Sequence, residues 1–128
     1  MSYEYVIDSY AWVEYFRGTD SGKQVRSYVE GDSATTSALT LAELKEKYLQ
    51  EKWPSFDEDL GFIVARTPVT PVDRQISLLA GEINYERKKT KRDWGMADSV
   101  ILATARSGSA KVVTGDRHFD GLSDVILI

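Results

Sequence analysis

Short runs of β-forming residues alternate with amphipathic helical patterns along the whole chain, and this alternation constrains the fold more than any other feature. The extended runs are Tyr5-Val6-Ile7, Ser33 to Ser37, Pro68-Val69-Thr70-Pro71, Lys111 to Thr114 and Val125 to Ile128. Helical patterns fill the gaps: Ser9 to Arg17, about Ser21 to Glu30, about Leu41 to Lys52, Ser55 to Arg66, and about Met96 to Arg106. Between the third and fourth runs, Val72, Ile76, Leu79, Ala80 and Ile83 recur at helical spacing and mark one apolar face. Strands separated by helices cannot close as hairpins, so they pair in parallel with helices covering the sheet. The pattern predicts a three-layer α/β/α sandwich around a short, mostly parallel five-stranded sheet, with residues 1–128 forming a single domain. In such a sheet, chemistry gathers outside the carboxyl ends of the strands, where the strand order reverses.

Composition narrows the chemistry. The 128 residues contain no Cys and one His, which excludes a disulfide scaffold, thiolate metal sites and a Cys nucleophile, and argues against a His-rich centre. Sixteen basic residues against 20 acidic ones leave a formal charge of −4, which does not suit a protein that coats DNA by bulk electrostatics. No stretch approaches the length of a membrane span and the first residues do not form a signal peptide, so the expected location is the cytoplasm, with no membrane partner.

Four carboxylates stand out. Asp8 follows the first extended run and Asp116 follows the fourth after Gly115, so both fall at predicted strand carboxyl ends. Each reads equally as a helix cap, since Asp is among the best acceptors for free N–H groups at a helix start. Asp98 lies within about 60° of Trp94, Ile101, Leu102 and Ala105 on a helical wheel, in the middle of the apolar stripe. A carboxylate there needs a cation, a proton or an Arg or Lys partner. Glu43 falls opposite its helix's apolar stripe, and Thr40-Leu41-Ala42-Glu43 fits a capping box.

Taken together, Asp8-Ser9 after a short apolar strand, Glu43 in a helix, Asp98 in Ala97-Asp98-Ser99-Val100-Ile101-Leu102, and Thr114-Gly115-Asp116-Arg117-His118-Phe119 resemble a PIN domain. The similarity runs over essentially the whole chain and is greatest to the toxin nucleases of VapBC toxin–antitoxin pairs. It implies a Rossmann-like topology and a toxin that is an endoribonuclease cleaving RNA phosphodiester bonds. It also implies Asp8, Asp98 and Asp116 at a metal, Glu43 orienting water, a VapB-like antitoxin as partner, and a homodimer. Ser9 and Thr114 are candidates for hydroxyl support. Two departures stand out: Tyr10, where the family more often has Asn or Ser, and the stretch after Asp116, where some relatives carry a further acid and this chain has Arg117 and His118.

An all-oxygen set of Asp and Glu suits Mg²⁺, with Mn²⁺ as substitute, because hard cations prefer carboxylate and water ligands. Such an ion acidifies bound water and polarises a phosphoryl group. Arg87, Lys88, Lys89, Lys91 and Arg92 form a dense basic run that reads either as a phosphate track for the substrate or as a solvated helix end. His118 reads as a surface residue more than a ligand. The rival readings are a non-catalytic PIN-fold binding module, which has no need of mutually repelling acids, and a phosphate-accepting receiver domain, which lacks its acceptor Asp at the third strand. Neither a P-loop nor a Gly-x-Gly-x-x-Gly motif is present.

Overall fold

The computed structural model describes residues 2–128. Strand β1 (Tyr5–Ile7) leads into helices α1 (Ser9–Arg17) and α2 (Asp20–Glu30), then strand β2 (Ala34–Ser37) and helices α3 (Ala38–Glu51) and α4 (Phe56–Arg66). Strand β3 (Val69–Thr70), helices α5 (Arg74–Arg87) and α6 (Met96–Ser107), strand β4 (Lys111–Thr114), a 3₁₀ turn (Arg117–Phe119) and strand β5 (Val125–Leu127) complete the order. The five strands form one sheet in the order β3-β2-β1-β4-β5, and every pairing is parallel. The predicted α/β sandwich is the observed one.

Period-two alternation along the central strands divides the core in two. Val6 of β1 and Val112 of β4 point to the face covered by α5 and α6, where Ile76, Ala80, Leu102 and Trp94 pack. Ile7 and Val113 point to the opposite face, against Trp12, Val25, Leu44 and Ile63 of the first four helices. On that second face α1 and α2 cross at Gly22, where a Cβ would stand 1.9 Å from the Glu14 carbonyl oxygen, so only glycine permits the approach. The indole Nε1 of Trp12 donates to the Thr36 hydroxyl at 3.1 Å, tying α1 to β2 deep in the core.

One boundary corrects the sequence reading. Helix α3 starts directly from the end of β2, with Ser37 as its cap; the Ser37 hydroxyl accepts the Leu39 N–H at 3.2 Å. Thr40 is therefore inside the helix and fully buried, and the Thr40–Glu43 capping box does not form. Ser37 competes for the same role three residues earlier, and a buried strand running into a helix without a loop leaves no turn signal to reveal it. Glu43 is thereby released from any role at the helix end.

Candidate active site

From β1 the chain passes outward to β2 and β3, then returns to the other side of β1 as β4 and β5. The reversal lies between β1 and β4, and the carboxyl ends of these two strands carry Asp8 and Asp116. The ladder fixes their approach: Ile7 is in register with Val113, and the Asp8 N–H donates to the Val113 carbonyl at 3.3 Å.

Asp8 is both a cap and a site residue. Its Oδ1 accepts the Ala11 N–H at 2.8 Å, and the residue is only 5 % exposed. Asp116 likewise caps the 3₁₀ turn, accepting the His118 N–H at 2.9 Å, while its own N–H donates to the Thr114 hydroxyl at 2.9 Å. Asp98 sits in the first turn of α6, where its Oδ2 accepts the Gly95 N–H at 3.1 Å and the helix dipole favours negative charge. The ion pair with Arg or Lys that its helical stripe suggested is absent among the described residues; its charged neighbour is His118. Glu43 approaches from α3, half-buried, with the Ser9 hydroxyl hydrogen-bonded to it.

These side chains line a cleft of about 400 Å³ whose walls also include Tyr10, Arg17 and Lys47. Burial first, and neighbouring charge second, change the protonation of two of these acids. Burial pushes Asp8 up to about 7; the hydrogen bonds from Thr114 and Ala11 oppose this, and the charges of Glu43 and Asp116 add to it. Burial likewise raises Glu43, opposed by Ser9 and reinforced by Asp98, Asp116 and Glu46. The charges of Asp98 and Asp116 reach Glu43, and those of Glu43 and Asp116 reach Asp8, so the four carboxylates share one electrostatic site.

His118, read from the sequence as a surface residue near Asp116, is partly exposed and also faces the acids of the cleft. Its Nδ1 lies 3.3 Å from Asp98 Oδ2 and 3.8 Å from Asp116 Oδ1, and its Nε2 lies 3.0 Å from Asp93. Desolvation alone would lower its affinity for a proton, but Asp116, Asp98 and Asp93 outweigh that and raise it. The 3₁₀ turn folds the ring back over Asp116. The only signal in the sequence was its position two residues after a strand-end acid.

The group whose ligand atoms lie within 4.8 Å of one another is Asp98, Asp116 and His118. Asp8, expected as the third ligand with Asp98 and Asp116, lies deeper in the same cleft and outside that group. Carboxylates held together without a neutralising Lys or Arg are a donor set that fits a hard divalent cation.

The sequence matches the family model for the PIN domain over residues 5–125. The chain is a PIN domain. No curated protein sequence matches it significantly. Its fold is shared with solved VapBC structures. A chain of the Salmonella typhimurium VapBC complex bound to DNA is 22 % identical, with TM-score 0.73 over 98 % of this PIN domain and 97 % of that chain. A chain of Rickettsia felis VapBC2, bound to a DNA fragment from its promoter, is 19 % identical, with TM-score 0.75 over 97 % and 96 %. Mycobacterium tuberculosis VapC20, described as a Sarcin-Ricin loop cleaving toxin, is 14 % identical, with TM-score 0.71 over 95 % and 97 %.

The basic run of the PIN domain does not enter the cleft: none of Arg87, Lys88, Lys89, Lys91 and Arg92 lines it. Arg87 is committed internally, stacked 4.3 Å over the Trp94 ring and donating to the His118 carbonyl at 3.2 Å. Lys89 pairs with Glu86 at the surface, and Lys88 reaches the Arg92 carbonyl. The segment bearing them meets the site through Arg87 on the His118 carbonyl, Asp93 on the His118 ring and the Gly95 N–H on Asp98. The basic side chains that do line the cleft, Arg17 and Lys47, drew no attention in the sequence because each is isolated. No helix is long and apolar enough to cross a membrane among the described residues.

Proposed function

We propose that this PIN domain is a divalent-metal-dependent endoribonuclease, the toxin of a VapBC-type pair restrained by a VapB-like antitoxin. The reading is carried by one observation: carboxylates from four separated segments, Asp8, Glu43, Asp98 and Asp116, meet in one cleft, where burial and the charge of the neighbouring acids raise the proton affinity of Asp8 and Glu43. The VapBC complexes that share the fold support the antitoxin, and the RNA-cleaving relative supports the substrate class.

Asp98 and Asp116 would hold the ion, with Asp8 completing the anionic floor. When bound, Mg²⁺ or Mn²⁺ supplies an acidified water and a counter-charge for the phosphoryl oxygens. Glu43, carrying a raised proton affinity and held by Ser9, is the residue that would orient a water and take up its proton. Thr114 fixes the spacing of the two strand-end acids by bonding to both Asp8 and the Asp116 backbone. Arg17 and Lys47 contact the RNA backbone at the cleft, and the Lys88–Arg92 loop serves as an outer phosphate approach, positioning the strand without reading its sequence.

The test is Mn²⁺-dependent cleavage of a mixed RNA pool by wild type, Asp8→Asn and Asp98→Asn. Both variants are expected to be inactive. Unchanged cleavage in both would defeat the metal-site reading, and no cleavage by any form would favour a non-catalytic binding module.

A further inference from the structure

The one histidine of the chain sits against two of the acids assigned to the metal, on a backbone that leaves it little freedom. Its N–H is bound by Asp116 at 2.9 Å and its carbonyl by the Arg87 guanidinium at 3.2 Å. Arg87 is itself stacked on Trp94, and the next residue, Phe119, is buried edge-on against the same indole at 5.1 Å. The two ring nitrogens face different surroundings. Nε2 lies 3.0 Å from Asp93, a carboxylate on the outer rim, whereas Nδ1 faces Asp98 and Asp116 inside the cleft.

We propose that His118 is a nitrogen ligand of the metal, binding through Nδ1 beside Asp98 and Asp116, with Asp93 holding the opposite edge of the ring. This rests on the metal-site reading above and refines it. A carboxylate on the far nitrogen of a ligating imidazole fixes the ring's tautomer and orientation, and the disposition of Asp93 is of this kind. The nitrogen also changes which ion the site selects. Carboxylate and water suit Mg²⁺ and Mn²⁺ alike, but Mn²⁺, a first-row transition metal, accepts an imidazole nitrogen more readily than Mg²⁺, so this ligand shifts the preference of the cleft toward Mn²⁺.

A single histidine makes the test direct, because any imidazole nitrogen coupled to a bound ion belongs to His118. Pulsed EPR of the full chain loaded with MnCl₂ is expected to show nitrogen modulation from a directly coordinated imidazole. His118→Ala should lose that modulation and, in calorimetric titration, bind Mn²⁺ at least roughly tenfold more weakly while Mg²⁺ binding changes less. Melting of the metal-free variant checks its folding, and the wild-type spectrum needs no variant. Bound Mn²⁺ without nitrogen modulation would overturn the proposal and leave the carboxylate site standing, with His118 only a counter-charge for its acids. No Mn²⁺ binding by wild type would overturn both.

Discussion

Two helix starts in this protein are built alike and are placed differently. Asp8 caps α1 by accepting the Ala11 N–H at 2.8 Å, and Asp73 caps α5 by accepting the Ile76 N–H at 2.9 Å. Both have extended backbone and both offer Oδ1 to the residue three positions on. Asp73 is exposed after a two-residue edge strand, whereas Asp8 is buried at the centre of the sheet beside Glu43 and Asp116. Local geometry is therefore silent about function; position in the strand order and the company of other acids decide it.

The sharpest way to break this comparison is activity. Asp8→Asn keeps a good cap but removes the charge, and is expected to lower Mn²⁺-dependent RNA cleavage by at least roughly a hundredfold. Asp73→Asn should leave cleavage within about twofold of wild type in the same assay. Equal losses in the two variants would mean that capping, not the acid cluster, explains Asp8.

Next in size is an effect of opposite sign on stability. Asp8 titrates near 3.8 in the unfolded chain and at about 7 in the fold, so the folded state holds its proton more tightly. Its contribution is intact below about pH 4, is lost as pH rises through 7, and stays lost above. In metal-free protein at pH 8, Asp8→Asn is expected to stabilise by an amount on the order of 2 kcal/mol, and at pH 4 to change little. Urea unfolding at the two pH values reads the difference. Asp73→Asn should show no such pH contrast.

The same linkage predicts how the metal acts on wild type. An ion that neutralises the cluster restores what ionisation removes, so saturating Mn²⁺ should raise Tm by several degrees more at pH 8 than at pH 5. A shift independent of pH would place the ion away from Asp8. The smallest effect belongs to the ordinary cap. Asp73→Ala is expected to cost about 1 kcal/mol at every pH between 5 and 8, measured by the same urea titrations.

Most of the fold was legible because periodicity is a local property. The apolar spacing of Ile76, Ala80 and Ile83 marks α5, and Val112-Val113 marks β4, without reference to the rest of the chain. The start of α3 was not, since Ser37 and Thr40 are both competent caps and burial chose between them. Of the acids lining the cleft, Asp8 and Asp116 were legible as strand-end acids and Asp98 as a helix-stripe anomaly, whereas Glu43 entered only through the family resemblance. His118 was not legible, because its approach to Asp93, Asp98 and Asp116 depends on a one-turn 3₁₀ segment that carries no periodicity. The basic run is dense in sequence but divides in the fold: Arg87 turns inward onto Trp94, while Arg17 and Lys47, thirty residues apart, share the cleft.

The pairing of β1 with β4 joins the beginning of the polypeptide to its final fifth. All the residues between must therefore be synthesised before Asp8 meets Asp116. Any fragment released earlier has β1 unpaired along one edge and only part of its anionic floor. Assembly by a contact this distant in sequence makes the cleft between β1 and β4 one of the slower parts of the fold to form.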